Sequence, residues 1–347
     1  MKSLRILLVA NADRHRGQGQ WYNTEHKLWN GFTREGHMVL FYSDRDRSRE
    51  LTPFRSKRFG VGRMNAELLN TAKHFEPDVI LFGHADLCKD VDFRRLREAV
   101  ADVRLAQFCV DASFREKTMR DFAERSQEMD VSFLTSADGK AISRYSIKPG
   151  SIFFMPNLID QSIETARVFD VPAQQLELDG QFLGAGIERR GEQLEYLADH
   201  LPAHYRFRYG GPAKGEASLV SSAFLGTLAK AASCPILPLD DTRPVDHLYA
   251  SNRVAQTLGQ GVFSLCAKSA NLSTLYEDGI VEWASREELV EAMARYQRDD
   301  DERRRVAKIG WRIGHDRFAA HIIARAMLQT IMGWDRDEFS WPTEAFA

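Results

Sequence analysis

The stretch YASNRVAQTLGQGVFSLC, residues 249–266, decides how the chain is read. Leu248, Asn252, Ala255 and Leu258 recur at three- to four-residue spacing and predict one face of a helix. That helix is expected to stop at Gly259, where glycine supplies the positive φ that closes a helix C-terminus. Val262 to Cys266 is short, apolar and β-prone, so it predicts a buried strand. Ala267-Lys268-Ser269-Ala270-Asn271 follows as a small, polar loop, the kind that meets a ligand at the carboxyl end of a parallel strand. Ser251, Asn252 and Arg253 gather three hydrogen-bonding groups before the helix, one of them a permanent cation suited to phosphate. A helix, a turn and a buried strand also make an ordinary α/β unit with a solvated arginine.

Working outward, the same rhythm fills the chain. Arg5 to Ala10 is a buried strand that runs into Asn11-Ala12-Asp13 and a loop with Gly17, Gly19 and Trp21. A helix carrying Leu28, Trp29 and Phe32 and the strand Met38 to Tyr42 complete a β-loop-α-β opening. Two glycines without a third in place are not a dinucleotide fingerprint. The loop reads either as a connector or as a surface for an acceptor or for donor phosphates. Further strands are expected at 79–84, 105–111, 131–135 and 152–157, which makes six short strands alternating with helices. Residues 158–178 lose this rhythm and predict an interdomain connection. A second series starts at Phe182-Leu183-Gly184-Ala185-Gly186, passes through Tyr209 and Gly210, and reaches the 249–266 unit. Helices are expected at 193–200 and 218–232. Ser285 and Glu288 form a capping box for a helix through Arg298, and two helices at 301–314 and 318–332 end the series.

Composition sets the bounds. With 347 residues, 44% apolar and 28% charged, the chain suits a globular protein of two domains. A formal net charge of −2 argues against nucleic acid as a partner. Four cysteines are scattered without a C-x-x-C pair, as in a reduced cytoplasmic protein. No metal-ligating motif, Gly-Lys-Ser phosphate loop or G-x-S-x-G elbow occurs, so no metal or other cofactor is expected. Residues 44–63 hold seven basic and three acidic side chains. They read either as a solvated loop or as a basic patch for an anionic glycan, lipid phosphate or membrane surface.

The run N-R-V-x-x-x-L-x-x-G-x-F, then LYEDG at 275–279, SREEL at 285–289 and DERRRVAKIGWRIGHDRF at 301–318, resembles the C-terminal half of the CgeB-like glycosyltransferases. These are a branch of the group 1, two-domain nucleotide-sugar transferases. The likeness covers about the last hundred residues closely and the rest by architecture. It implies a GT-B-like α/β fold: two Rossmann-like, doubly wound parallel-sheet domains facing a cleft. Residues 1–160 would bind the acceptor, 175–318 the nucleotide-sugar, and 319–347 would cross back to the first domain.

The resemblance implies transfer of a sugar from a nucleotide-sugar to a hydroxyl of a glycan, lipid-linked or small-molecule acceptor, without a metal. The expected setting is cell-surface polysaccharide biosynthesis in the cytoplasm, with peripheral contact at the inner face of the membrane. An epimerase-like enzyme acting on the nucleotide-sugar, and a non-catalytic sugar-nucleotide-binding relative, are the alternatives. Donor contacts are expected from Gly184, Gly186, Tyr209, Gly210, Ser251, Asn252, Arg253, Lys268 and Asn271. Arg189 or Arg190 matches an arginine the family carries at the head of a helix. Gln256 stands where the family usually has an acid that bonds the nucleotide ribose. Leu248 stands where the first of a glutamate pair would fall, so the stereochemical outcome does not carry over. Acceptor contacts are expected from Asn11, Asp13, Gly17, Gly19 and Trp21. His84 and Asp111, each ending a first-domain strand, are the candidates for a general base.

Overall fold

Short apolar runs alternating with amphipathic helices build two parallel sheets in this computed structural model, which describes residues 2–17, 19–83, 85–88, 91–184 and 189–346. The chain divides into two units, Met1–Pro156 with Ala320–Ala347, and Asn157–Ala319.

The first unit runs β1 (Arg5–Ala10), α1 (Thr24–Arg34), β2 (Met38–Ser43), α2 (Asp44–Glu50), α3 (Lys57–Phe75), β3 (Val79–Phe82), α4 (Phe93–Ala99), β4 (Arg104–Cys109), α5 (Glu116–Ser126), β5 (Val131–Leu134), α6 (Gly139–Ile142) and β6 (Ile152–Phe154). Its sheet has the order β2-β1-β3-β4-β5-β6, every pair parallel. β1 and β3 are central and covered on both faces, which is why Ile6 to Ala10 and Val79 to Phe82 are unbroken apolar runs without a strand's usual alternation.

The second unit runs β7 (Leu178–Leu183), α7 (Arg190–His200), β8 (Phe207–Gly210), α8 (Ser221–Leu228), β9 (Ala231–Ile236), α9 (Asn252–Gly259), β10 (Phe263–Ala267), α10 (Ser273–Tyr276), β11 (Val281–Trp283), α11 (Arg286–Arg298) and α12 (Asp300–Arg317). Its order β11-β10-β9-β7-β8, again all parallel, repeats the topology of the first sheet. In both sheets the second strand pairs outside the first and the third pairs on its other side. The strand order therefore reverses between β1 and β3 and between β7 and β9, the places where open α/β sheets leave a ligand crevice at the strand carboxyl ends.

The last helix, α13 (Ala320–Met332), belongs to the first unit. Gly31 of α1 lets it approach, since a Cβ there would overlap the Ala320 carbonyl. Arg325 fixes the contact with two bonds to Glu35, at 2.7 and 2.9 Å. The tail beyond it adds an antiparallel bridge from Ala345 to Phe153 at the β6 edge.

Several local expectations change. Residues 44–63 are mostly helix, α2 and the start of α3, because Asp44 and Asp46 occupy the first turn of α2 and Arg47 and Arg49 its last, a charge order that suits the helix dipole. Residues 158–178 pack into the second unit and bury Ile159, Val168 and Phe169. Ala231 and Ala232 leave the expected helix and open β9. Leu248 lies outside α9 at φ 56, and Gly259 is helical; the positive φ belongs to Gly261 at 70°. Gly259 is needed for space instead, since a Cβ there would meet the Glu164 side chain at 2.6 Å.

Candidate functional site

In the second unit the site forms where β7 and β9 end. Phe182 and Leu183 close β7, and the Phe182 ring carries two guanidinium groups, Arg253 at 4.2 Å and Arg190 at 5.4 Å from its centre. Each arginine also donates to a strand-end carbonyl: Arg253 Nη2 to Leu183 O at 2.9 Å, and Arg190 Nη2 to Leu237 O, just past β9, at 3.0 Å. For Arg253, a ring face and a neutral carbonyl orient the cation without cancelling its charge. Arg253 has no carboxylate partner among the described residues. Burial pushes its guanidinium down from the ordinary value, the direction that attraction to an anion would reverse.

Gly184, the residue after β7, makes room for this arrangement, because a Cβ there would overlap Arg253 Nη2. Ser251 is the N-cap of α9, and its buried Oγ has no hydrogen-bond partner. An unpartnered hydroxyl beside helix-initial amides and a half-buried arginine is a set of donors suited to a phosphate. Asn252 is the first residue of α9. Gln256, one turn on, is buried, and its amide makes no side-chain hydrogen bond among the described residues.

The turn after β10 is held beside the segment that leads into α9. Leu248 N–H donates to Ala270 O at 2.8 Å, and Val245 N–H to Ser269 Oγ at 3.0 Å. Lys268 is exposed there, and Asn271 closes the turn at φ 54. Arg189 differs from Arg253 in being compensated, by Glu192 at 2.9 Å and by Asp240 and Asp241 at 3.8 and 3.7 Å. Tyr209 lies under the Lys214 ammonium, 4.5 Å from the ring centre, and Gly210 ends β8. Gly186 lies outside the described residues.

In the first unit, the loop after β1 is organised by residues from α2. Asp46 accepts from the Arg14 N–H at 2.9 Å and from the Ser43 hydroxyl at 2.5 Å, and it lies 3.2 Å from His15 Nδ1. Burial raises the Asp46 pKa, but these donors outweigh it and hold the group below the usual carboxylate range. His15 Nδ1 also stands 3.4 Å from Asp13 and 3.2 Å from Arg49 Nη1. A carboxylate orients this imidazole, a third of whose side chain is exposed, so His15 can serve as a proton acceptor. Asp44, two residues away on α2, is fully buried. Its Oδ2 accepts from Leu87 N–H and its Oδ1 has no partner, and burial pushes it up to about 6.

Sequence reading missed His15, Asp44 and Asp46. The available signal was Asp44-Arg45-Asp46 directly after a strand, with Arg47–Glu50 at helical spacing. Among the expected acceptor residues, Asn11 Oδ1 accepts the Asp13 N–H at 3.2 Å, and Gly17 closes the turn at 14–16 with φ 68. Gly19 is half-buried in the same loop, and Trp21 packs edge-on to Tyr22. Asp111 is half-buried two residues past the end of β4. His84 lies outside the described residues. Among those described, no group of three or more His, Cys, Asp or Glu could hold a metal ion. No helix among them is long and apolar enough to cross a membrane.

A family model described as glycosyl transferase-like matches residues 190–332, from the start of α7 to the end of α13. No curated protein sequence matches the chain significantly. Among solved structures, the chain is similar to Anabaena HepE in complex with UDP and glucose, at 13% identity and a TM-score of 0.64, covering 95% of this chain and 100% of that one. It is similar to sucrose-phosphate synthase from Thermosynechococcus elongatus at 12% identity, TM-score 0.65, covering 95% and 98%. A glycosyltransferase from Rickettsia africae follows at 9% identity, TM-score 0.62, covering 96% and 99%. The region 190–332 is thus glycosyl transferase-like, and the chain as a whole shares the two-domain, Rossmann-like fold of these structures.

Proposed function

We propose that the protein moves a sugar from a nucleoside-diphosphate sugar, held by the second unit, to a hydroxyl of a glycan or lipid-linked acceptor, held by the first. The observation that carries this reading is Arg253: a partly buried guanidinium at the β7/β9 crevice, without a carboxylate, beside the unpartnered Ser251 Oγ. A diphosphate leaving group gains negative charge as the glycosidic bond breaks. Arg253, Arg190 and the first amides of α9 are the groups that would stabilise it, and the Gln256 amide would meet a ribose hydroxyl. Charge stabilisation by side chains and amides supports transfer that needs no added metal.

UDP is the first donor base to test, since HepE was solved with UDP. The motif runs at 252–263, 275–279 and 301–318 support assignment to the CgeB-like branch, with the cytoplasmic side of cell-surface polysaccharide assembly as the setting. The family match favours transfer over epimerisation of the donor. The deciding experiment is a thermal-shift panel with UDP, GDP, CMP and dTDP, followed by transfer assays with the sugars of the nucleotide that binds. Stabilisation by one nucleoside diphosphate together with release of that diphosphate in the presence of an acceptor is expected. Binding without transfer to any acceptor would overturn the enzyme reading in favour of a binding protein.

A further inference from the structure

Residues 51–63, LTPFRSKRFGVGR, hold four cations and no acid. Arg55, Lys57, Arg58 and Arg63 are all exposed, and none makes an ion pair among the described residues. The other cations of the 44–63 run are engaged: Arg45 pairs with Asp86, Arg47 with Glu50 and Glu67, and Arg49 lies 3.9 Å from Asp46. Beside these cations stand Phe54, just before Arg55, and Phe59, just after Arg58, at 89% and 79% the most exposed large apolar side chains described.

These side chains project from a fixed base. Thr52 O accepts the Arg55 N–H at 3.1 Å, and Thr52 Oγ1 accepts the Ser56 N–H at 2.9 Å, which makes a tight turn between α2 and α3. Ser48 Oγ donates to Lys57 O at the head of α3. Gly60 lets α3 lie on α2, since a Cβ there would overlap the Ser48 carbonyl, and Met64 is buried one turn further on.

Two exposed aromatic rings set among unpaired cations match a surface that is negative outside and apolar just beneath. An anionic bilayer is such a surface: cations meet the lipid phosphates and rings settle at the boundary of headgroups and acyl chains. A second copy of this chain fits poorly, because a two-fold contact through this patch would bring its cations against one another. We infer that the α2–α3 turn docks the first unit on an anionic phospholipid bilayer, with Phe54 and Phe59 entering the headgroup region and Arg55, Lys57, Arg58 and Arg63 contacting lipid phosphates. The inference deepens the proposed function by naming a partner for its acceptor-binding unit. It is read with vesicles alone, so it stands or falls apart from sugar transfer.

The test is flotation of the full-length protein with vesicles of phosphatidylcholine, alone or mixed with phosphatidylglycerol. Binding to the mixed vesicles, weakened by salt, is expected. Arg55→Gln/Lys57→Gln/Arg58→Gln should lower it by about 100-fold, at roughly fivefold per surface charge. Phe54→Ser/Phe59→Ser should lower binding to the same vesicles by at least about tenfold. Unfolding temperature and nucleotide-induced stabilisation should stay as in the parent protein in both variants, which excludes misfolding. Equal binding to the two vesicle types, no binding to either, or binding untouched by both variants would overturn the inference. So would a dimer in solution that the Phe54→Ser/Phe59→Ser variant dissolves.

Discussion

Arg253 of α9 lies with its guanidinium 4.2 Å from the centre of the Phe182 ring at the end of β7, and bonds the neighbouring Leu183 carbonyl at 2.9 Å. The contact joins the two elements that frame the β7/β9 crevice and aims a permanent cation there. Removing it should cost phosphate affinity and spare the nucleoside. Arg253→Ala is expected to weaken UDP by about 10- to 150-fold, from a charge-assisted bond of about 1.5–3 kcal/mol, with uridine unchanged. Calorimetric titration of both ligands checks this. Equal loss for both would make Arg253 a scaffold for the fold or the base.

Gly184 offers an independent route to the same arginine. A methyl group at this position overlaps Arg253 Nη2, so Gly184→Ala should push the guanidinium off the Leu183 carbonyl while leaving the β7 pairing intact. UDP affinity is expected to fall about tenfold or more, since a displaced charge-assisted bond is worth about 1.5–3 kcal/mol, with far-UV circular dichroism unchanged. Unchanged UDP affinity would show that the guanidinium tolerates displacement.

Asp44 and Asp46 should respond to pH in opposite senses. Burial, the larger influence, raises Asp44 to about 6, with Arg45 lowering it and Asp86 raising it less, and with the buried Cys88 thiol alongside. A carboxyl whose folded pKa is raised contributes stability that is complete below its unfolded value of 3.8 and is lost as pH rises through about 6. Asp44→Asn should therefore gain on the parent protein by up to about 3 kcal/mol between about pH 4 and pH 7. Asp46 is held down by its donors, so its contribution is present at neutral pH and lost on acidification, and Asp46→Asn should lose most at neutral pH. Urea unfolding across this range checks both. A pH-independent difference for Asp44→Asn would mean that Asp44 ionises in the folded protein as it does in the unfolded chain.

Three first-unit residues compete for the role of general base: His84, Asp111 and His15. Replacement of the base should slow transfer by roughly 10²–10⁴-fold with donor affinity intact. His84→Gln, Asp111→Asn and His15→Gln test them in turn by steady-state transfer and by UDP titration. Parallel loss of donor binding would mark a structural residue, and three unaffected rates would place the base elsewhere. If His15 is the base, Asp46→Asn should slow transfer too, because Asp46 orients the ring.

Transfer should also proceed in EDTA at an unchanged rate. In the proposed reaction, side-chain and amide donors at Arg253, Arg190 and the start of α9 neutralise the leaving diphosphate in place of a metal. Activity lost in EDTA and restored by Mg²⁺ or Mn²⁺ would show that a metal carries this charge.

The sequence by itself determined the class of fold. Each strand and helix leaves a local mark, an apolar run or a periodic face, and burial on both sides of a parallel sheet keeps runs such as Ile6 to Ala10 free of polar residues. It also marked Ser251, Arg253 and Gln256, because the α9–β10 unit is contiguous in the chain. Tertiary structure alone decided what these residues touch. Arg253 meets a carbonyl 70 positions away, Arg190 one 47 away, and Asp46 organises a loop 32 positions earlier. Such pairings depend on strand order, which short-range periodicity does not encode. The same holds for 44–63: composition showed the charges, but only the packing of α3 on α2 at Gly60 separated the paired arginines from the exposed cations and phenylalanines beside them.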